Sequence, residues 1–468
     1  MGKKTEFLRN TGILFLGKVF TQFLSFLLLP LYTAFLSTDE YGSVDLIMTY
    51  VMLVMPLVSL QIERAAFRYL IEVRGDREKS SIIISAITKI VICSIVVFSA
   101  GYLLLWQIMK FEYALLVYCY CVLHLITSVL QQIARGHGKN VVYAIASCIL
   151  GAGTIVGNIF FVAVLREGLR GMLLSLVIAY SVMAIYLVAS LRSRSSKTEK
   201  NSCRAARKKM LNYSIPLIPD SISWWVLNVS DRTLLALFIG SAANGLYAVA
   251  NKFSSVFVGG FNIVNMAWQE SVSLYIGKDD KFIKEMTCRM IYLFASMCAV
   301  AICVIPMFFS IMIGGDYYES FWHIPLLMLG AFFTVGLGLF QSIYIGMKQT
   351  KKVAKTSMLC AGINIVINLL LIKNIGIYAA SLSTLISYMA LFMYRYIDLR
   401  KEYKLRLDRR ATIVSMLVML LSCVVYYNSS SVPYLSIFGT IITFALMMAM
   451  NMNSIKKILV MIKRRRKT

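Results

Sequence analysis

Ionisable side chains stand inside apolar runs, where a hydrocarbon solvent makes them costly. In the run 10–35, Lys18, Thr21, Gln22, Ser25 and Tyr32 fall near one helical face. In 43–70, Asp45, Thr49, Pro56, Ser59 and Glu63 form a second seam, and Arg64 and Arg68 share an adjacent face one turn apart. The run 211–239 carries Asp220, Ser223, Asn228, Asp231 and Arg232 behind a kinking pair, Pro216 and Pro219. The run 244–275 carries Asn251, Lys252, Ser255, Asn262, Gln269 and Glu270. A charge at mid-membrane costs a few kcal/mol even on lenient scales, so it usually faces an aqueous cavity. Lys18, Arg64, Arg68, Arg232 and Lys252 would give such a cavity positive charge, with Asn228 and Asn262 as neutral polar lining. That chemistry attracts an anionic substrate. Asp231, Glu63 and Glu270 are the counter-charges, and carboxylates so placed can exchange protons or sodium. Glu63 and Glu270 also fit a plainer role as polar helix ends.

Other chemistry is weakly supported. Gly12–Val19 (GILFLGKV) nearly matches a phosphate-binding loop, but it lacks the closing Ser or Thr, follows no strand and lies in an apolar run. The three histidines, His124, His137 and His323, have no metal-ligand spacing. Cysteines such as Cys93, Cys119, Cys121, Cys298 and Cys360 fall inside apolar runs without paired CxxC spacing, and read as small packing residues. No cofactor is implied, beyond coupling to protons or sodium. Loops on the less basic side are about ten residues or shorter, which leaves a membrane polymerase little room for catalytic groups. The chain is not expected to be an enzyme.

The elements that must position these residues are membrane helices. Of 468 residues, 59% are apolar and 15% charged, against about half and a quarter in soluble domains. Apolar runs of about twenty residues recur from Gly12 to Met452, each long enough to cross a hydrocarbon core of about 30 Å. Without water the backbone must satisfy itself, and runs of this length do so as helices rather than as barrel strands. About fourteen spans are predicted, giving an all-α polytopic membrane protein. The net charge of +26 sits in short loops, a placement that nucleic-acid binding does not explain. Of 48 Lys and Arg, 38 lie in the N-terminal tail and every second loop, and 4 in the opposite loops. This asymmetry puts both termini in the cytoplasm. The terminal IKRRRK fits the same rule, and also fits anionic headgroups.

The basic loop Arg192–Lys209 divides the chain into residues 1–200, a lobe of six spans, and 201–400, a second lobe of six. Residues 401–468 add two spans and a basic tail. The lobes resemble each other weakly. FLSTDEYG (Phe35–Gly42) and FIGSAANG (Phe238–Gly245) occupy the same hairpin of each, and Asn158, Ser175 and Tyr180 correspond to Asn368, Ser383 and Tyr388. Such repeats are typical of secondary transporters, with a site at the repeat interface.

The opening segment is similar to the start of the bacterial polysaccharide repeat-unit flippases, the O-antigen and capsule (Wzx-type) transporters. The resemblance rests on Asn10, Pro30-Leu31-Tyr32-Thr33 and Leu36-Ser37-x-x-Glu40-Tyr41-Gly42. IERAAFRYL, with Arg68, resembles the end of that family's second span. NVSDRTLLALFIGSAANGLYAVANKF, with Asp231, Arg232, Gly245, Tyr247 and Lys252, resembles its seventh-span hairpin. One departure is AWQES at the end of the eighth run, where the family would place a proline soon after the Trp. The resemblance implies the multidrug/oligosaccharidyl-lipid/polysaccharide (MOP) superfamily fold, with two six-helix lobes in a V. It implies location in the bacterial cytoplasmic (inner) membrane and movement of undecaprenyl-pyrophosphate-linked oligosaccharide between leaflets. A polysaccharide polymerase and chain-length machinery would be partners, besides the bilayer. The sequence leaves open a sibling transporter, for a peptidoglycan precursor or for drugs and cations, and less readily a membrane polymerase or an assembly scaffold.

The charge asymmetry makes a direct prediction. A reporter fused after residue 195 reads cytoplasmic and one fused after residue 241 reads external; the reverse pair would invert the topology.

Overall fold

The computed structural model describes residues 26–191, 200–430, 432 and 434–448. Among these residues every regular element is helical. They fall into two compact units, divided between Ser230 and Asp231.

The first unit contains α1 (Leu29–Phe35), α2 (Thr38–Ser59), α3 (Ile62–Glu72), α4 (Arg77–Met109), α5 (Ala114–Gly136), α6 (Asn140–Asn158), α7 (Gly168–Leu191) and α8 (Lys200–Ser214). A 3-10 turn, Ile215–Leu217, then leads into α9 (Ile218–Phe238), within which the division falls. The second unit holds α10 (Ser241–Tyr275), α11 (Asp280–Met312), α12 (Ile324–Gly346), α13 (Thr350–Ile375), α14 (Ile377–Glu402), α15 (Arg409–Asn428) and α16 (Tyr434–Met448). Ten of the described helices are long and apolar enough to cross a membrane, so the chain is a multi-pass membrane protein. The predicted seventh and eighth spans, α9 and α10, are helical but fall outside that group. For α10 the physical reason is the polar series from Asn251 to Glu270. The first predicted span lies mostly outside the described residues, as do Lys18 and the Gly12–Val19 segment.

Two sequence expectations change. The basic segment Arg192–Lys209 is not all loop, because it is helical from Lys200. Its buried Cys203 and Met210 pack with Ala65, Leu70 and Ile87 of α3 and α4 in one apolar cluster, while Lys209 lies over the Tyr69 ring at 4.9 Å. The second span is not continuous either. Leu60 and Gln61 are both left-handed (φ 51° and 54°), separating α2 from α3. Left-handed backbone costs a non-glycine residue roughly 1–2 kcal/mol, so two in succession require support from their surroundings.

Helix ends and helix contacts explain several residues of the sequence. Ser37 and Glu40 form a capping box: Ser37 Oγ accepts the Glu40 amide at 3.2 Å and Glu40 Oε2 accepts the Ser37 amide at 2.9 Å. The same carboxylate lies against Gly168 (φ +53°), where a Cβ would collide with it. Arg74 donates to the Gly136 and Arg135 carbonyls, both at 3.0 Å, and Lys139 to the Ser190 carbonyl at 3.0 Å, closing the ends of α5 and α7. Small residues let α6 and α7 approach: Cβ atoms at Gly153 and Gly157 would stand 3.2 Å from Ala179 and 2.9 Å from Ser175. In the second unit α15 and α16 are tied to α11 and the turn before α12. Tyr426 Oη donates to the Phe321 carbonyl at 2.9 Å and Ser436 Oγ to the Cys303 carbonyl at 2.6 Å.

Ser37→Ala, which removes one cap acceptor, should cost about 1 kcal/mol. Gly168→Ala, which adds both strain and a clash, should lower the unfolding midpoint of purified protein further. Equal midpoints for the two variants would contradict the contact between Gly168 and Glu40.

Candidate functional site

Asp231 is 7% exposed and is the first residue of the second unit. Four neutral side chains from three helices reach its carboxylate. Thr384 Oγ1 (α14) donates to Oδ2 at 2.6 Å and Tyr247 Oη (α10) to the same oxygen at 3.2 Å. Asn368 Nδ2 (α13) donates to Oδ1 at 3.0 Å. With the Asn364 amide nitrogen turned toward the carboxylate, it lies 2.9 Å from Oδ1, and the Asn364 oxygen accepts the Thr384 amide at 3.3 Å. Each carboxylate oxygen therefore has two donors.

Local sequence accounts for this convergence. Asn364 and Asn368 are one helical turn apart on α13 and face the same way. Tyr247 follows the α9–α10 hairpin by less than two turns, which brings it back beside Asp231. Thr384 adjoins Ser383, whose hydroxyl donates to the Ala380 carbonyl at 3.0 Å and so stays within its own helix.

A buried carboxylate must be hydrogen-bonded and charge-compensated to be tolerated. The hydrogen bonds are present, and all four donors are neutral. Asn368 Oδ1 is buried in the same neighbourhood and has no hydrogen-bond partner among the described residues. A carboxylate with amide and hydroxyl oxygens suits a proton or a hard monovalent cation. No group of three or more His, Cys, Asp or Glu that could hold a metal occurs among the described residues.

The other candidates are distributed. Arg232 follows Asp231 and is half-buried, and Lys252 is half-buried on α10. Asn262 and Glu270 are exposed on α10. Arg64 is exposed on α3 and donates to Ser221 Oγ at 3.3 Å. Arg68, one turn on, pairs with Glu72 at 3.0 Å, with both side chains largely exposed. Glu63 keeps a buried Oε2 without a partner among the described residues. The backbone at Asn228 is helical, and its side chain lies outside the described set, as does the whole of Lys18.

Three residues lie outside the candidates that the sequence pattern marks. Asn364 and Thr384 belong to the Asp231 network, and the i, i+4 amide pair within an apolar run was the readable signal. Arg395, 1% exposed, is the third. Its guanidinium donates to Thr356 Oγ1 (2.9 Å), Ser357 Oγ (3.0 Å) and the Val353 carbonyl (3.2 Å). Nearby, Asp398 accepts from Tyr344 Oη at 2.7 Å and pairs with Lys352, which also meets Glu402. This second polar cluster joins α12, α13 and α14 near their ends.

Residues 7–269 match the model of a family described as "Polysaccharide biosynthesis protein". That is more than half of the chain. The protein belongs to this polysaccharide biosynthesis family. Among solved structures it is similar to "Lipid II flippase MurJ, inward closed conformation", at 12% identity and TM-score 0.71, covering 96% of this chain and 100% of that one. It is also similar to an inward-facing multidrug resistance MATE family transporter of the MOP superfamily, at 12% identity and TM-score 0.64, covering 82% of this chain and 96% of that one. At this identity the likeness establishes the fold, which is of the MATE and MurJ type. No curated protein matches the chain. In this family member, Asp231 and the α10 hairpin lie within the matched segment, whereas Asn364, Asn368 and Thr384 lie beyond it.

Asp231→Asn keeps the side chain's shape but removes its charge. Transport activity should fall to less than a tenth at an unchanged protein level by immunoblot. Thr384→Val and Asn364→Ala each remove one of four donors and should reduce it partially. Wild-type activity in Asp231→Asn would take Asp231 out of the mechanism.

Proposed function

We propose that the protein is a flippase that moves undecaprenyl-pyrophosphate-linked oligosaccharide repeat units across the bacterial cytoplasmic membrane for capsule, O-antigen or related exopolysaccharide assembly. The observation that carries this reading is the family match over residues 7–269 in a chain whose fold is shared with a lipid II flippase. The sequence chemistry supports it. Lys18, Arg64, Arg68, Arg232 and Lys252 supply cations for a pyrophosphate and acidic sugars, and Asn228 and Asn262 supply neutral polar contacts. Transport proceeds by alternating access, with substrate binding at a cationic central site.

Asp231 supplies the coupling. Its carboxylate takes up a proton or sodium ion in one conformation and releases it in another, and a cation there would also give Asn368 Oδ1 its missing partner. Ion binding changes the balance of two states only by as much as it favours one of them. The four donors from α10, α13 and α14 provide that difference, because any relative movement of these helices changes the carboxylate's solvation. Glu63 and Glu270 are secondary candidates for the same role. The polymerase and chain-length machinery would receive the product.

A peptidoglycan lipid precursor is the second reading, favoured by the similarity to the lipid II flippase. One experiment separates the two. In a deletion strain, the complete undecaprenyl-linked repeat unit should accumulate facing the cytoplasm while surface polymer disappears and cell-wall synthesis continues. Complementation with Arg64, Arg68, Arg232 and Lys252 all changed to alanine should fail at normal protein levels. Loss of wall synthesis with intact polymer would favour the second reading. A repeat unit that reaches the outer leaflet unpolymerised would place the protein after translocation.

A further inference from the structure

The break between α2 and α3 leaves oxygen atoms that nothing among the described residues satisfies. In a continuous helix the Gln61 amide would point at the Leu57 carbonyl. It donates instead to Ser59 Oγ at 3.0 Å. Gln61 itself is 4% exposed, and its side-chain Oε1 is buried without a hydrogen-bond partner among the described residues. Two residues on, Glu63 Oε2 is buried and unpartnered in the same way. Glu63 lies in the first turn of α3.

All the unsatisfied atoms are oxygens, and one belongs to a carboxylate. A buried acceptor left unpaired costs more than a hydrogen bond gains, so a native structure retains several together only when something fills them. The C-terminal end of α2 adds the negative pole of its dipole. Interrupted membrane helices coordinate small cations in this manner, with unwound carbonyls and half-helix ends. Arg64, on the adjacent face, is exposed and donates to Ser221 Oγ at 3.3 Å.

We propose that the α2–α3 break is a binding site for a small monovalent cation of the sodium type, held by Gln61 Oε1 and the Glu63 carboxylate at the C-terminal end of α2. One carboxylate balances one positive charge, which favours a monovalent over a divalent ion. The site lies wholly within the first unit and is separate from Asp231. It fits the two left-handed residues, whose backbone takes the Gln61 amide out of the helical ladder and onto Ser59 Oγ.

The test uses full-length protein in lipid nanodiscs, titrated with sodium chloride against choline chloride at constant ionic strength, with the thermal unfolding midpoint as readout. An ion that binds only the folded state raises that midpoint. The titration is made in the Asp231→Asn background, so that sodium at Asp231 does not contribute. Sodium should still raise the midpoint by several degrees there, and adding Gln61→Leu or Glu63→Gln should abolish the rise. Gln61→Leu carries a second readout. It removes a buried orphan acceptor, so in choline its midpoint should equal or exceed that of its parent, and only in sodium should it fall below. No sodium response in Asp231→Asn, or a response that survives Gln61→Leu and Glu63→Gln, would overturn the site and leave water as the occupant of the break.

Discussion

A hydrocarbon solvent offers no hydrogen bonds, and this constraint acts hardest on Asp231. Its carboxylate can be retained inside the membrane only if protein groups replace water around both oxygens. Two asparagines, a threonine and a tyrosine do so, and they come from α10, α13 and α14. The packing of three helices in the second unit is therefore tied to one charge. A group that fixes helices together when charged and loosens them when neutralised is suited to coupling an ion to a conformational change.

The same constraint orders the rest of the chain. Helix ends retain unpaired carbonyls and amides, and the basic residues of the loops are spent on them: Arg74 closes α5 and Lys139 closes α7. Arg395 is buried among hydroxyls and a carbonyl instead of facing a headgroup. Positive loop charge thus does structural work as well as setting topology. Gln61 Oε1 and Glu63 Oε2 are among the buried side-chain atoms without a partner among the described residues, and both sit at a helix break.

The predicted site was legible in part. Asp231 stood out as a charge within an apolar run, and Asn368 and Tyr247 were noticed for other reasons. Asn364 and Thr384 were not, because a neutral polar residue in a membrane helix satisfies itself locally often enough to carry little signal. The cations illustrate the opposite difficulty. Arg64 and Arg68 share a helical face by periodicity, yet their contacts are with Ser221 and Glu72. A shared face says which residues are neighbours along a helix and nothing about what lies opposite.

By itself the sequence determined the fold class and the helices, because length and hydropathy of each run are local properties that the bilayer reads one segment at a time. It determined the expected orientation for the same reason, through loop charge. Tertiary structure decided the break at Leu60–Gln61, since a two-residue left-handed turn costs free energy that only surrounding contacts can offset. It also decided the helical course of Lys200–Ser214, which depends on burying Cys203 and Met210 against α3 and α4. The ring of donors around Asp231 belongs to the same class. Its members are separated by up to 153 residues in sequence, and only the packing of helices brings them within reach of one carboxylate.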